Sequence, residues 1–246
     1  MVFQDSDAYK WLEAAAYAVA DKPDENLERQ ADELIDLIAD AQDKDGYLNT
    51  FFTIKDTEKR WTNLLEGHEL YCSGHLIEAA CTYYEATGKR KLLDIAVKNA
   101  ECIYDRFVMQ NTEGIPGHPE IELALLRLYR LTENKHFLEL AQKFINERGK
   151  APDFWAREAK KRSWSVWNSD PWGNDYRQSA KPVREQTEAV GHAVRAVYLY
   201  TGMADLAAET EDKELFAACR RLWENIVHRK MYITGGIGST VQGEAF

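Results

Sequence analysis

The sequence predicts an all-α chain built from repeated helical hairpins. Three observations carry this expectation. Apolar residues recur at helical spacing along almost the whole chain. No stretch reads as a convincing strand. A Tyr-x-x-Thr motif returns in YEATGKRKLLDIA (84–96), YRLTENKHFLELA (129–141) and YLYTGMADLAAET (198–210), where it marks a turn between helices.

The elements follow in order. SDAYKWLEAAAYAVA and ENLERQADELIDLIADAQ form the first pair. The third helix spans about 66 to 86, with Leu70, Gly74, Ile77, Cys81 and Tyr84 on one face. His68, Cys72, Leu76, Ala79 and Tyr83 form a second apolar face beside it, so this helix lies inside a layered structure. Gly88 ends it in the left-handed manner. The fourth helix, about 90 to 107, turns Leu93, Ala96, Val97, Ala100, Ile103 and Phe107 inward. The fifth starts in GHPEIELALLRLYRLTEN, with Pro119 at its first position and Glu120 and Glu122 at the positive end of its dipole. HFLELAQKFINERG pairs with it. REQTEAVGHAVRAVYLYTG and DKELFAACRRLWENIVHRK complete eight helices. An open solenoid and a closed α/α barrel both accommodate such hairpins. Unequal hairpin lengths and one connection of more than 30 residues favour the barrel, with functional loops at its end.

The 246 residues are 45% apolar and 29% charged, which supports a folded core. The net charge is −10, and repulsion from phosphates argues against nucleic acid as a partner, so none is expected. No stretch reaches membrane-spanning length and no signal peptide opens the chain, so the expected location is cytoplasmic. Cys72, Cys81, Cys102 and Cys219 form no close pair and read as reduced, buried thiols. DKDG at 43–46 lacks the alternating acids of a calcium loop and reads as a polar turn.

Three Gly-His pairs stand at or near the starts of first-of-pair helices: Gly67-His68, Gly117-His118 and Gly191-His192. If those helices form the inner ring, the three histidines meet at one end of the barrel axis. Local capping or packing explains any single one equally well; three at equivalent positions point to a shared cleft. His75, His136 and His228 read as packing or surface residues. No His or Cys spacing indicates a metal site within the chain. The connection from about 149 to 184 holds Trp155, Trp164, Trp167 and Trp172, four of the seven Trp, with Tyr176. Such rings either stack on sugar or anchor the loop on the core. Gly235, Gly236 and Gly238 near the end allow a turn that brings Glu244 to a cleft, where it suits a general acid. No second catalytic group is evident near it.

Taken together, several segments resemble glycoside hydrolase family 127, the β-L-arabinofuranosidase-like family. They include RWTNLLEGHELYCSGHLIEAA, GHPEIELALLRLYR, PVREQTEAVGHAVRAVYLYTGMADLA and MYITGGIGSTVQGEAF, in the family's order and over nearly the whole chain. The resemblance implies an (α/α)6 barrel followed by β-rich domains. It implies a carbohydrate substrate and release of terminal arabinofuranosyl groups with retention. It makes Glu244 the acid/base and His68, His118 and His192 sugar contacts. It also implies a zinc-bound cysteine nucleophile whose one Glu and three Cys ligands follow this segment in the family. The four cysteines here do not match those positions, so zinc is expected in the full-length family protein and not in this chain. Residues 1–246 then correspond to part of the catalytic barrel. Eight helices leave a twelve-helix ring open, with an apolar flank suited to homo-oligomer contact and with no activity expected from the piece alone. Two readings compete: another α/α-barrel sugar enzyme, such as an unsaturated glucuronyl hydrolase or an epimerase, and a non-catalytic sugar-binding module.

Overall fold

The structure, a computed structural model, describes residues 1–168 and 172–246. Eight long helices make four hairpins. They are α1 (Asp5–Asp21) with α2 (Glu25–Ala41), and α4 (Glu69–Thr87) with α5 (Lys91–Tyr104). Then come α6 (Ile121–Thr132) with α7 (Lys135–Glu147), and α9 (Ala193–Thr210) with α10 (Lys213–Asn225). The short helices α3 (Thr50–Lys55) and α8 (Phe154–Lys161) lie in connections and bring the α-helices among the described residues to ten, two more than the sequence periodicity indicates. Each is too short to show several turns of apolar spacing.

The first helix of each hairpin packs on the first of the next: α1 on α4, α4 on α6, α6 on α9. The second helices back them as an outer row. This is part of an α/α barrel, all-helical among the described residues. No helix there is long and apolar enough to cross a membrane.

Local chemistry sets the boundaries. Asp24 accepts bonds from the backbone N–H of Asn26 and Leu27 at the start of α2. Asn134 and Asp212 do the same for α7 and α10. At the other end Thr87, Thr132 and Thr210 close α4, α6 and α9, each donating its hydroxyl to the carbonyl four residues back. Left-handed residues follow them: Gly88, Glu133 and Glu211. The genuine repeat is therefore this Thr plus a left-handed residue. The Tyr-x-x-Thr at 198–201 is not a turn, because α9 runs straight through it to Thr210. Gly202 serves close packing against Glu122 there rather than chain reversal. Pro119 also falls outside its helix, which begins at Ile121 with Glu120 as its cap.

The α4 helix is buried on nearly every side from Glu69 to Tyr83, as an inner helix must be. Gly74 admits α6 so closely that a β-carbon would coincide with the Glu120 carboxylate. Phe107, Phe137, Phe144, Leu76 and Leu92 fill the space between the rows. The DKDG segment is a turn, in which Asp45 accepts from the Tyr47 N–H.

One buried ion pair ties the core to the loops. Arg148 and Glu122 are both fully buried, with Nη2 to Oε1 at 3.3 Å. Arg148 also donates to the carbonyls of Pro116 (2.7 Å) and Arg177 (3.0 Å). Arg148→Met is expected to lower the unfolding free energy by about 3–5 kcal/mol, since it strands a buried partner. Urea denaturation measures this. Adding Glu122→Leu is expected to recover part of the loss; equal losses in the single and double variants would deny the pair its role.

Candidate active site

The three Gly-His pairs share a physical origin. A β-carbon at Gly67 would lie 2.6 Å from the Asn63 carbonyl oxygen, and at Gly117 and Gly191 it would fall on the carbonyls of Leu64 and Asp175. Gly67 closes its own turn, its N–H donating to the Asn63 carbonyl, whereas at Gly117 and Gly191 a second stretch of backbone crosses the glycine; in each pair the next residue is delivered to the mouth of the inner row. His68 is the N-cap of α4 with φ of 55°, His192 is the N-cap of α9, and His118 precedes α6.

The structure brings the three rings together. The centroids of His68 and His118 are 5.9 Å apart, and those of His118 and His192 are 5.6 Å apart. Their hydrogen bonds assign the tautomers of the neutral rings. Nδ1–H of His68 donates to the Glu66 carbonyl (2.6 Å), and Nδ1–H of His118 donates to the Pro119 carbonyl (2.7 Å). In both, Nε2 is left as an acceptor. His192 is the reverse. Its Nδ1 accepts from the Arg195 N–H (3.2 Å), so Nε2 carries the proton and donates to Glu244 Oε2 at 3.1 Å.

Electrostatics favour this neutral state. Burial depresses His68 to about 4. Burial, with Arg195 and His68 nearby, holds His118 well below the ordinary histidine value. His192 is lowered too, by burial and Arg195, against the opposing pull of Glu244.

The C-terminal segment docks on the site. Ala245 bridges to His192 in antiparallel fashion, and the Phe246 N–H donates to the Gly191 carbonyl at 3.0 Å. Gly238 and Gly243 take left-handed φ, and Gly243 sits against the rings of Trp172 and Tyr176. Glu244 follows, its side chain 76% exposed and in contact with His192. Gly235 lies in the turn ahead of it, with φ of 85°.

The Trp-rich connection divides by role, and its residues 169–171 lie outside the described ones. Trp155 is buried and donates to Ser179 Oγ, and Trp164 donates to Thr62 Oγ1 and packs on Phe52; these are anchors. Trp167 and Trp172 remain 47% and 37% exposed. With Tyr176, Glu66 and Arg195 they line a cleft of about 240 Å3 beside the histidines.

Sequence reading missed the floor beneath the imidazoles. Tyr71 lies 4.8 Å from His118 and 4.6 Å from His75, and Tyr198 lies 6.0 Å from His118. His75 is buried 3.5 Å from Glu120, whose carboxyl burial pushes well above the usual range. The Gly74–Glu120 approach was invisible in sequence because it joins two helices. His136 stacks on Tyr104 at the surface, and His228 sits in the last helical turn of the outer row.

The chain's own donors do not fit a zinc–thiolate centre. Cys72 and Cys81 are packed within α4, and Cys102 and Cys219 sit on the outer helices α5 and α10. Burial raises the Cys81 thiol to about 12. Among the described residues no three His, Cys, Asp or Glu side chains gather around a point that a metal ion could occupy.

A titration tests the electrostatics. His68 is expected to stay neutral down to about pH 4, read from its ring shifts by NMR. The sign follows from linkage: the folded value lies below the unfolded one, so the unfolded chain binds the proton first as pH falls. Stability present above pH 6.5 is then lost toward pH 4, by about 3 kcal/mol at most. The difference between the parent and His68→Gln isolates this slope from that of the other buried acids.

Comparison with known proteins places the chain among glycoside hydrolases and agrees with its helical fold. The family model described as the β-L-arabinofuranosidase GH127 catalytic domain matches residues 1–246. A non-reducing end β-L-arabinofuranosidase of Bifidobacterium longum subsp. longum is 45% identical over 259 aligned residues, covering 100% of this chain and 39% of the relative. A GH127 β-L-arabinofuranosidase from Geobacillus stearothermophilus T6 superimposes with a TM-score of 0.94 at 53% identity, covering 100% of this chain and 39% of that one. A second GH127 β-arabinofuranosidase structure gives 0.86 at 41% identity, over 100% of this chain and 37% of that one. The chain thus spans well under half the length of these relatives, and it belongs to the GH127 β-L-arabinofuranosidase family of glycoside hydrolases.

Proposed function

We propose that this chain supplies the acid/base and the sugar-contacting histidines of a retaining β-L-arabinofuranosidase that releases terminal arabinofuranosyl groups. The observation that carries this is Glu244, an exposed carboxyl oriented by the Nε2–H of His192 beside two further imidazoles. In this reading the Glu244 carboxyl gives its proton to the leaving oxygen. The resulting carboxylate then takes a proton from water in the second step. His68 and His118 present Nε2 as acceptors to sugar hydroxyls, and burial keeps them neutral so that they can accept. Family relatives named as β-L-arabinofuranosidases support the choice of sugar. Their match also favours this reading over other α/α-barrel sugar enzymes.

The resemblance supplies zinc–thiolate chemistry for the nucleophile. The thiols of this chain do not fit that centre, so no step is assigned to them. We expect residues 1–246 on their own to bind sugar without turning it over, with zinc and its ligands contributed by the full-length protein. All four cysteines are unpaired, which supports a reducing compartment such as the cytoplasm.

In the full-length protein, Glu244→Gln is expected to lower kcat by about 10²–10⁴-fold on an arabinofuranosyl disaccharide. The loss should be smaller on a p-nitrophenyl glycoside, whose leaving group needs less protonation. Equal losses on both substrates would remove the acid role from Glu244.

A further inference from the structure

We propose that the cleft lined by Trp167, Trp172, Tyr176 and Arg195 is a second sugar subsite, which takes the leaving-group ring of the substrate. The proposal rests on the hydrolase reading above and says where the rest of the substrate goes. The cleft adjoins the histidine cluster without being lined by it. Trp167 closes one end of the shared boundary, 5.7 Å from His68, and Tyr176 closes the other, 5.6 Å from His192. Glu244 stands at that boundary, because its neighbour Gly243 rests on the Trp172 and Tyr176 rings while its carboxylate reaches His192. A general acid must reach the oxygen joining two sugars. With one ring over the imidazoles, the other falls in the aromatic cleft.

The walls suit a sugar. Trp172 and Tyr176 stack on each other with centroids 4.7 Å apart and an interplanar angle of 17°, and Trp167 lines the same cleft as a separate, half-exposed indole. Arg195 brings a guanidinium to the wall beside the Tyr176 ring. At about 240 Å3 the space is below the roughly 300–1,000 Å3 of sites for larger ligands, so it suits a single ring.

The Trp167 wall is also built rather than incidental. Glu66, 3% exposed, accepts from Asn63 Nδ2 (2.7 Å), Ser165 Oγ (2.8 Å), the Val166 N–H (2.8 Å) and Arg162 Nη1 (3.4 Å). Burial alone would raise this carboxyl; those donors outweigh burial and lower it. A buried carboxylate thus fastens the segment before Trp167 to the turn that carries His68. Glu66 is a positioning residue for the cleft.

The test compares two substrates in the full-length protein: an arabinofuranosyl disaccharide, whose leaving sugar would fill the cleft, and arabinofuranosyl fluoride, whose leaving group would not. Trp167→Ala is expected to lower the ratio of kcat/KM for disaccharide over fluoride by about tenfold. Trp167→Phe should restore most of it. Glu66→Ala should lower the ratio in the same direction and add little on the Trp167→Ala background. Proportional losses on both substrates, with Trp167→Phe as damaged as Trp167→Ala, would overturn the subsite while leaving the hydrolase reading intact. Failure of the parent protein to cleave either substrate would overturn the hydrolase reading itself, and the subsite with it.

Discussion

The Arg148–Glu122 pair is the constraint on which the site depends. A guanidinium and a carboxylate with no solvent contact carry a large desolvation cost that offsets much of their attraction, so the pair adds little to stability by itself. What the ion pair supplies is geometry. Arg148 leaves the end of α7 and holds the carbonyls of Pro116 and Arg177. The first lies beside Gly117-His118 and the second beside Tyr176. Glu122 also receives the Glu120 N–H, which fixes the cap of α6. One side-chain pair therefore links an outer helix, an inner helix and the two loops that carry the imidazole and aromatic walls.

Around that link, proton positions are set by backbone rather than by other titrating groups. His68 and His118 each donate Nδ1–H to a main-chain carbonyl, and His192 accepts a main-chain N–H. Three chemically identical side chains thereby become two acceptors and one donor. The donor faces Glu244. Burial and Arg195 keep the cluster from taking up protons, so the carboxyl at its edge is not pulled into a permanent ion pair.

Parts of this were legible in the residues themselves. The four hairpins followed from helical spacing, because an inner helix such as α4 must be apolar on more than one face. The Gly-His pairs were legible because a backbone carbonyl packed against each glycine excludes a β-carbon and leaves a glycine in the sequence. The Tyr-x-x-Thr repeat misled at 198–201, since the same letters serve a helix interior when a glycine is needed for packing instead of chain reversal. The partners of Glu66 and Glu120 left no sequence signal, although Glu120 was legible at the start of its helix. Those partners lie on other elements, at Ser165 and Val166 for the first and at Gly74 and His75 for the second. The four Trp of the long connection could not be sorted by sequence, because anchor and ligand wall need the same side chain.

The sequence by itself determined the helical class, the hairpin order and the set of imidazoles and the carboxyl that meet, because periodicity is a local demand of the backbone and a glycine marks in the sequence the place where a carbonyl packs too close for a side chain. Only the tertiary structure decided which nitrogen of each imidazole holds its proton, which Trp face the cleft, and how the last residues dock on His192. Those outcomes depend on distances between segments far apart in the chain, set by burial and by the few hydrogen bonds that survive it.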